Sequence, residues 1–102
     1  MEWLYRLKLV RGDFFASGPT PDDLAAMQGH VGYLQKLADD GKLIVAGRTQ
    51  VNDSTTMGIA IFRADSAVEA QAIAAADPVV QRGVMTVEVF PYKVAVAGSF
   101  SK

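Results

Sequence analysis

The sequence predicts an α+β fold of order β-α-β-β-α-β, a four-stranded antiparallel sheet with two helices on one face. Period-two alternation of apolar residues marks four strands, at 3–11, 43–50, 58–63 and after Gly83. Two capped segments between them, 20–41 and 66–77, carry helical patterning. The second and third strands are separated only by turn-forming residues around Asn52, Asp53 and Ser54, so they pair as a hairpin. Together these give the split βαβ arrangement of a ferredoxin-like fold.

In the first strand Trp3, Tyr5, Leu7 and Leu9 point one way and Arg6 and Lys8 the other. Residues 12–21, punctuated by Gly12, Gly18, Pro19 and Pro21, read as a loop that carries two phenylalanines, Phe14 and Phe15. The first helix starts at Thr20 as N-cap, with Pro21 at the first helical position, and closes at Gly41. Leu24, Met27, Val31, Leu34 and Ala38 form its expected buried stripe. His30 falls roughly 60° from the centre of that stripe, on its rim.

Ser66 and Glu69 have capping-box spacing and open the alanine-rich second helix, which Asp77-Pro78 ends. The last strand sets Val84, Thr86, Glu88 and Phe90 against Met85, Val87 and Val89, and Pro91 places its end at a sheet edge. Residues 1–94 are expected to form one domain and 95–102 a C-terminal tail. Two helices cover one face of such a sheet. Apolar residues lie on both sides of strands two, three and four, so the other face is expected to close a homodimer that can associate further.

Ten Lys plus Arg against eleven Asp plus Glu, scattered along 102 residues, give a net charge of −1 and no cationic stripe. Nucleic acid is therefore not an expected partner. With no cysteine and a single histidine, the chain has neither thiolate sites nor a multi-histidine metal centre of its own, and no metal or cofactor is expected. No apolar run has the length of a membrane span or signal peptide, which makes a cytoplasmic protein the expectation.

His30 is a candidate acid/base, because an imidazole titrates near neutrality, or else a helix-rim histidine bonded to a neighbour. Asp77 sits at the negative end of a helix, where a carboxylate needs compensation. Protonated His30 would supply it, and an Asx turn with a following N–H is the alternative. Arg48 can bind a carboxylate through its planar fork, or stand solvated at a strand end. Tyr33 and Tyr5 can line a pocket or donate a hydrogen bond, or pack at the core edge. Phe14 and Phe15 can fold over a ligand or pack against the helix or a partner chain. No phosphate-binding glycine loop, GxSxG elbow or dinucleotide fingerprint is present.

The run MQGHVGYLQKLADDGKLIVAG, residues 27–47, resembles the pattern H-x-x-Y-L-x-x-L-x-x-x-G-x-L-x-x-x-G of the YCII-related (YciI-like) proteins. Ser66 to Gly83 is similar to that family's S-x-x-E-A helix followed by D-P-x-x-x-x-G. The resemblance covers nearly the whole chain and implies a dimeric α+β barrel. It also implies an active site at His30 and Asp77, in a fold whose relatives include muconolactone isomerases and chloromuconolactone dehalogenases. The family often has Gly-Pro where this chain has Gly47-Arg48, a difference that favours an anion at the pocket wall.

The expected function is a cofactor-free enzyme of isomerase, lyase or hydrolase type. In it His30, oriented by Asp77, moves a proton on a small organic acid or lactone, and Arg48, Tyr33, Phe14 and Phe15 contact the substrate. The alternatives are a non-catalytic metabolite-binding or protein-interaction module and an assembly subunit whose cleft is filled by Phe14, Tyr33 and Met85.

Overall fold

Alternation along the first strand decides which way the sheet faces. In β1 (Glu2–Leu9) Trp3, Tyr5 and Leu7 are buried while the residues between them are not. The other strands are β2 (Leu43–Arg48), β3 (Met57–Arg63) and β4 (Met85–Tyr92). They form one antiparallel sheet of order β2-β3-β1-β4. Registers place Ala60 and Val89 beside Tyr5, and Gly58 and Val87 beside Leu7, so these residues share the inward face. The computed structural model describes residues 1–99. Of the expected tail, 95–99 has no regular structure and 100–102 lies outside the described residues.

The helices are α1 (Phe14–Ser17), α2 (Pro21–Asp39), α3 (Ala67–Ala75) and α4 (Pro78–Gln81). Thr20 and Asp23 cap α2 reciprocally: Asp23 N–H donates to Thr20 Oγ1 (3.1 Å) and Thr20 N–H to Asp23 Oδ2 (2.8 Å). Arg11 Nη2 donates to the same carboxylate oxygen at 3.0 Å, which ties the start of α2 to the end of β1. Gly41 follows α2 with φ of +76°, a left-handed conformation strained for any residue with a Cβ. Ser66 caps α3 by accepting from Glu69 N–H at 3.1 Å.

Three expectations are corrected. The segment expected as a loop contains the single turn α1, whose Phe14 is buried in the core. A second single turn, α4, follows the Asp77-Pro78 break. The packed face of α2 lies one residue earlier in register than the expected stripe, a rotation of about 100°. It consists of Asp23, Ala26 and Leu37, which are buried, with half-buried His30 and Tyr33 between them. His30 is thus central on the packed face, whereas Leu24 and Val31 are 55% and 66% exposed. The physical reason is a cavity: Met27, Val31, Leu34 and Ala38 border an open space between α2 and the sheet.

On the opposite face, Arg6 pairs with Glu88 at 2.6 Å amid apolar neighbours including Leu4, Val45, Ile59 and Phe90. Val45 and Phe90 remain half or nearly half exposed. No helix of the described residues is long and apolar enough to cross a membrane.

Candidate active site

Small side chains hollow out the space under α2. Ala46, Gly58 and Ala60 lie side by side on the inward face of β2 and β3, where larger residues would fill the gap. The resulting cavity, about 560 Å³, is bounded by Met27, His30 and Leu34 on one side and by Tyr5, Leu7 and Met85 on the other. Its volume suits a compact organic molecule.

His30 and Asp77 meet at the inner wall of this cavity. α3 stops at Ala76, and Asp77 begins α4 with Oδ1 accepting from Val79 N–H at 3.1 Å. The sequence offered protonated His30 or an Asx turn with a following N–H as compensation for Asp77 at a helix end, and the structure has both a His30 contact and a bond from a following N–H. Asp77 stands at the junction of two helices and serves as N-cap of the second. Its other oxygen, Oδ2, contacts His30 Nδ1 at 2.6 Å and accepts from Tyr5 Oη at 2.8 Å. Asp77 is fully buried, and His30 has a quarter of its side chain exposed toward the cavity.

A carboxylate that already accepts from a tyrosine and an amide orders the ring beside it. With Asp77 ionised Nδ1 is the donor of this pair, and the tautomer so fixed carries its lone pair on Nε2. Tyr5 keeps its proton: burial, then the adjacent Asp77 charge, then their hydrogen bond push its hydroxyl far above the ordinary tyrosine value. Burial and then Asp77 also raise Tyr33. Because the folded state holds the Tyr5 proton more tightly than the unfolded state, that proton's contribution to stability is complete below pH 10.0, the ordinary value, and lost above it. Wild type is expected to lose about 1.4 kcal/mol per pH unit more than Tyr5→Phe above that pH. Urea unfolding of both proteins between pH 9 and pH 11 measures the difference.

The closeness of α2 to α4 depends on Gly29. A Cβ there would stand 3.0 Å from Pro78 Cβ and 3.1 Å from Pro78 Cγ, and a proline ring is tethered at both ends. Alanine normally stabilises a helix interior by about 1 kcal/mol over glycine. In Gly29→Ala that gain is expected to vanish and the His30–Asp77 bond to lengthen as Pro78 is displaced. Urea midpoints together with the Nδ1–H proton resonance test this. A variant about 1 kcal/mol more stable with an unchanged resonance would show that α4 yields freely.

The other sequence candidates are dispersed. Arg48 lines the cavity at its β2 end, donates from Nη2 to Asn52 Oδ1 at 2.8 Å and lies 5.9 Å from the Phe15 ring centroid. Phe15 therefore touches the site through Arg48 and is not itself a lining residue. Phe14 packs edge-on against Phe15 in the core and does not line the cavity. Tyr33 points away from it, donating to Ile73 O at 2.7 Å and so tying α2 to α3. Tyr5 lines the cavity and completes the Asp77 shell; the signal in the sequence was a hydroxyl at an inward strand position, which requires a buried acceptor. Among the described residues no three His, Asp or Glu side chains cluster as metal ligands.

Comparison with known proteins places this geometry in context. A solved structure of 5-chloro-2-hydroxyhydroquinone dehydrochlorinase (TftG) from Burkholderia phenoliruptrix AC1100, in complex with 2,5-dihydroxybenzoquinone, superposes with a TM-score of 0.67. The alignment has 22% identity and covers 91% of this chain and 94% of that one, a likeness of fold. No curated protein matches the chain. The YCII-related domain pattern matches residues 16–93, which span α2, both connecting strands and the Asp77-Pro78 junction. The chain belongs to the YCII-related family.

Proposed function

We propose that this protein is a small-molecule enzyme in which His30, held by Asp77, transfers a proton on a compact organic acid or lactone. The observation that carries the proposal is the 2.6 Å contact between His30 Nδ1 and a fully buried carboxylate, with the ring reaching an open apolar cavity. In this scheme Nε2 removes a proton from the ligand, Asp77 stabilises the imidazolium that forms, and the proton returns at another atom or leaves with a departing group. Isomerisation and elimination both run on one such base. The fold neighbour is a dehydrochlorinase, and loss of hydrogen chloride is an elimination of that kind. An assembly subunit with a cleft filled by Phe14, Tyr33 and Met85 fits poorly, since Phe14 and Tyr33 do not line the cavity and Met85, which does, leaves it about 560 Å³ in volume.

The test is a panel of small lactones, chlorinated hydroquinones and carboxylic acids, incubated with wild type and His30→Ala in D2O and followed by NMR. Product formation, or exchange of a C–H proton for deuterium, by the wild type alone is the expected result. Ligands that bind without turnover or exchange would favour the binding-module alternative.

The same proposal includes a homodimer closed through the open sheet face. Leu4, Val45, Ile59 and Phe90 supply its apolar area around the Arg6–Glu88 pair. Sedimentation at micromolar concentration is expected to give a dimer, and a stable monomer would remove this part of the proposal.

A further inference from the structure

We infer that the cavity selects an anionic single-ring ligand and that Arg48 is the residue that sets this specificity. The inference rests on the cavity assigned above as the site, and it concerns what enters rather than what reacts.

Charge inside the cavity is one-sided. Among the described residues Arg48 is the only lining residue with a fixed charge, and no aspartate or glutamate borders the space. The Asp77 carboxylate, bonded to His30, is fully buried and already satisfied by Tyr5, His30 and Val79. A largely apolar open cleft with an exposed arginine at its β2 end and no anion among its described lining residues offers a carboxylate a partner at little competing repulsion.

Arg48 is held in place but its charge is not neutralised. One guanidinium nitrogen donates to the Asn52 side-chain oxygen, and the Phe15 ring packs against the group. Among the described residues no carboxylate lies within 4.0 Å of it, whereas Arg6 pairs with Glu88 and Arg11 with Asp13 and Asp23. An arginine fixed by a neutral amide and an aromatic face keeps most of its donor fork for a ligand.

The strand register sets the ligand's length. Ala46, Ala60 and Tyr5 lie level across β2, β3 and β1, and Arg48 lies one same-face step further along β2. Two strand spacings across and two residues along separate the Arg48 and Tyr5 backbones by about 12 Å. Gly58 and Ala60 form the floor between them, and that span suits one ring bearing a carboxylate. With the carboxylate on Arg48, the ring rests on the floor of small residues and its far edge meets His30.

The experiment uses benzoate and its neutral isostere benzamide as probes, with the His30 ring protons and the Arg48 Nε–H followed by NMR. In wild type, benzoate is expected to bind about ten- to a hundredfold more tightly than benzamide and to shift both residues. In Arg48→Met the preference is expected to vanish while benzamide still shifts His30; Arg48→Lys should restore part of it. Equal binding of the two probes by wild type, or a benzoate preference surviving in Arg48→Met, would overturn the role of Arg48. Binding of neither probe would overturn the ligand class. In each of these cases the catalytic proposal is judged separately by the turnover panel, because proton transfer by His30 does not depend on which group anchors the ligand.

Discussion

Asp77→Ala is expected to lower stability by about 3–5 kcal/mol. The carboxylate is fully buried and accepts from three donors drawn from β1, α2 and α4. Removing it leaves the Tyr5 hydroxyl, which is itself fully buried, without an acceptor and strips α4 of its cap. Urea unfolding at pH 7 measures the loss. Asp77→Asn retains one acceptor oxygen and the shape of the side chain, so its loss is expected to be clearly smaller. A loss under about 1 kcal/mol in Asp77→Ala would mean that water replaces the missing acceptor and that the shell is less dry than its burial implies.

His30→Ala is expected to behave in the opposite way, folding with a loss of about 1–2 kcal/mol while turnover falls about 10²- to 10⁴-fold. The ring is partly exposed to the cavity, and Tyr5 and Val79 still serve Asp77 when it is gone. Activity on the substrate identified by the panel, with circular dichroism as the check on folding, separates the two outcomes. Turnover within threefold of wild type would remove the histidine from the mechanism. The contrast between the two variants matters more than either alone: Asp77 holds the structure together, and His30 is placed by it.

Strand order and facing were legible because a half-buried strand alternates with a period of two, and Trp3, Tyr5 and Leu7 show that period without interruption. The two helix starts were legible from Thr20 and Ser66, whose side chains bond the backbone locally. The orientation of α2 was not legible. Its apolar residues at 27, 31, 34 and 38 look like a core stripe, but they border a cavity. Its packed face, by contrast, includes the polar Asp23 and His30. Hydrophobicity alone cannot distinguish a face covered by protein from one that lines a pocket. The His30 and Asp77 positions stood out as chemistry, yet the third member, Tyr5, read equally well as packing. Its role depends on a partner 72 residues away. The contact of Gly29 with Pro78 is likewise invisible in sequence, since it arises only where α2 crosses α4.

The hydrogen bonds at Asp77 span separations of 72 residues to Tyr5 and 47 to His30. Loops of that length close late, after local helices and the short β2–β3 hairpin have formed. During synthesis Tyr5 and His30 leave the ribosome before Asp77 emerges. Until then the Tyr5 hydroxyl and the His30 ring remain solvated and free. The three side chains meet only where β1, α2 and the α3–α4 junction come together, so the base is assembled by the tertiary fold and by no single element.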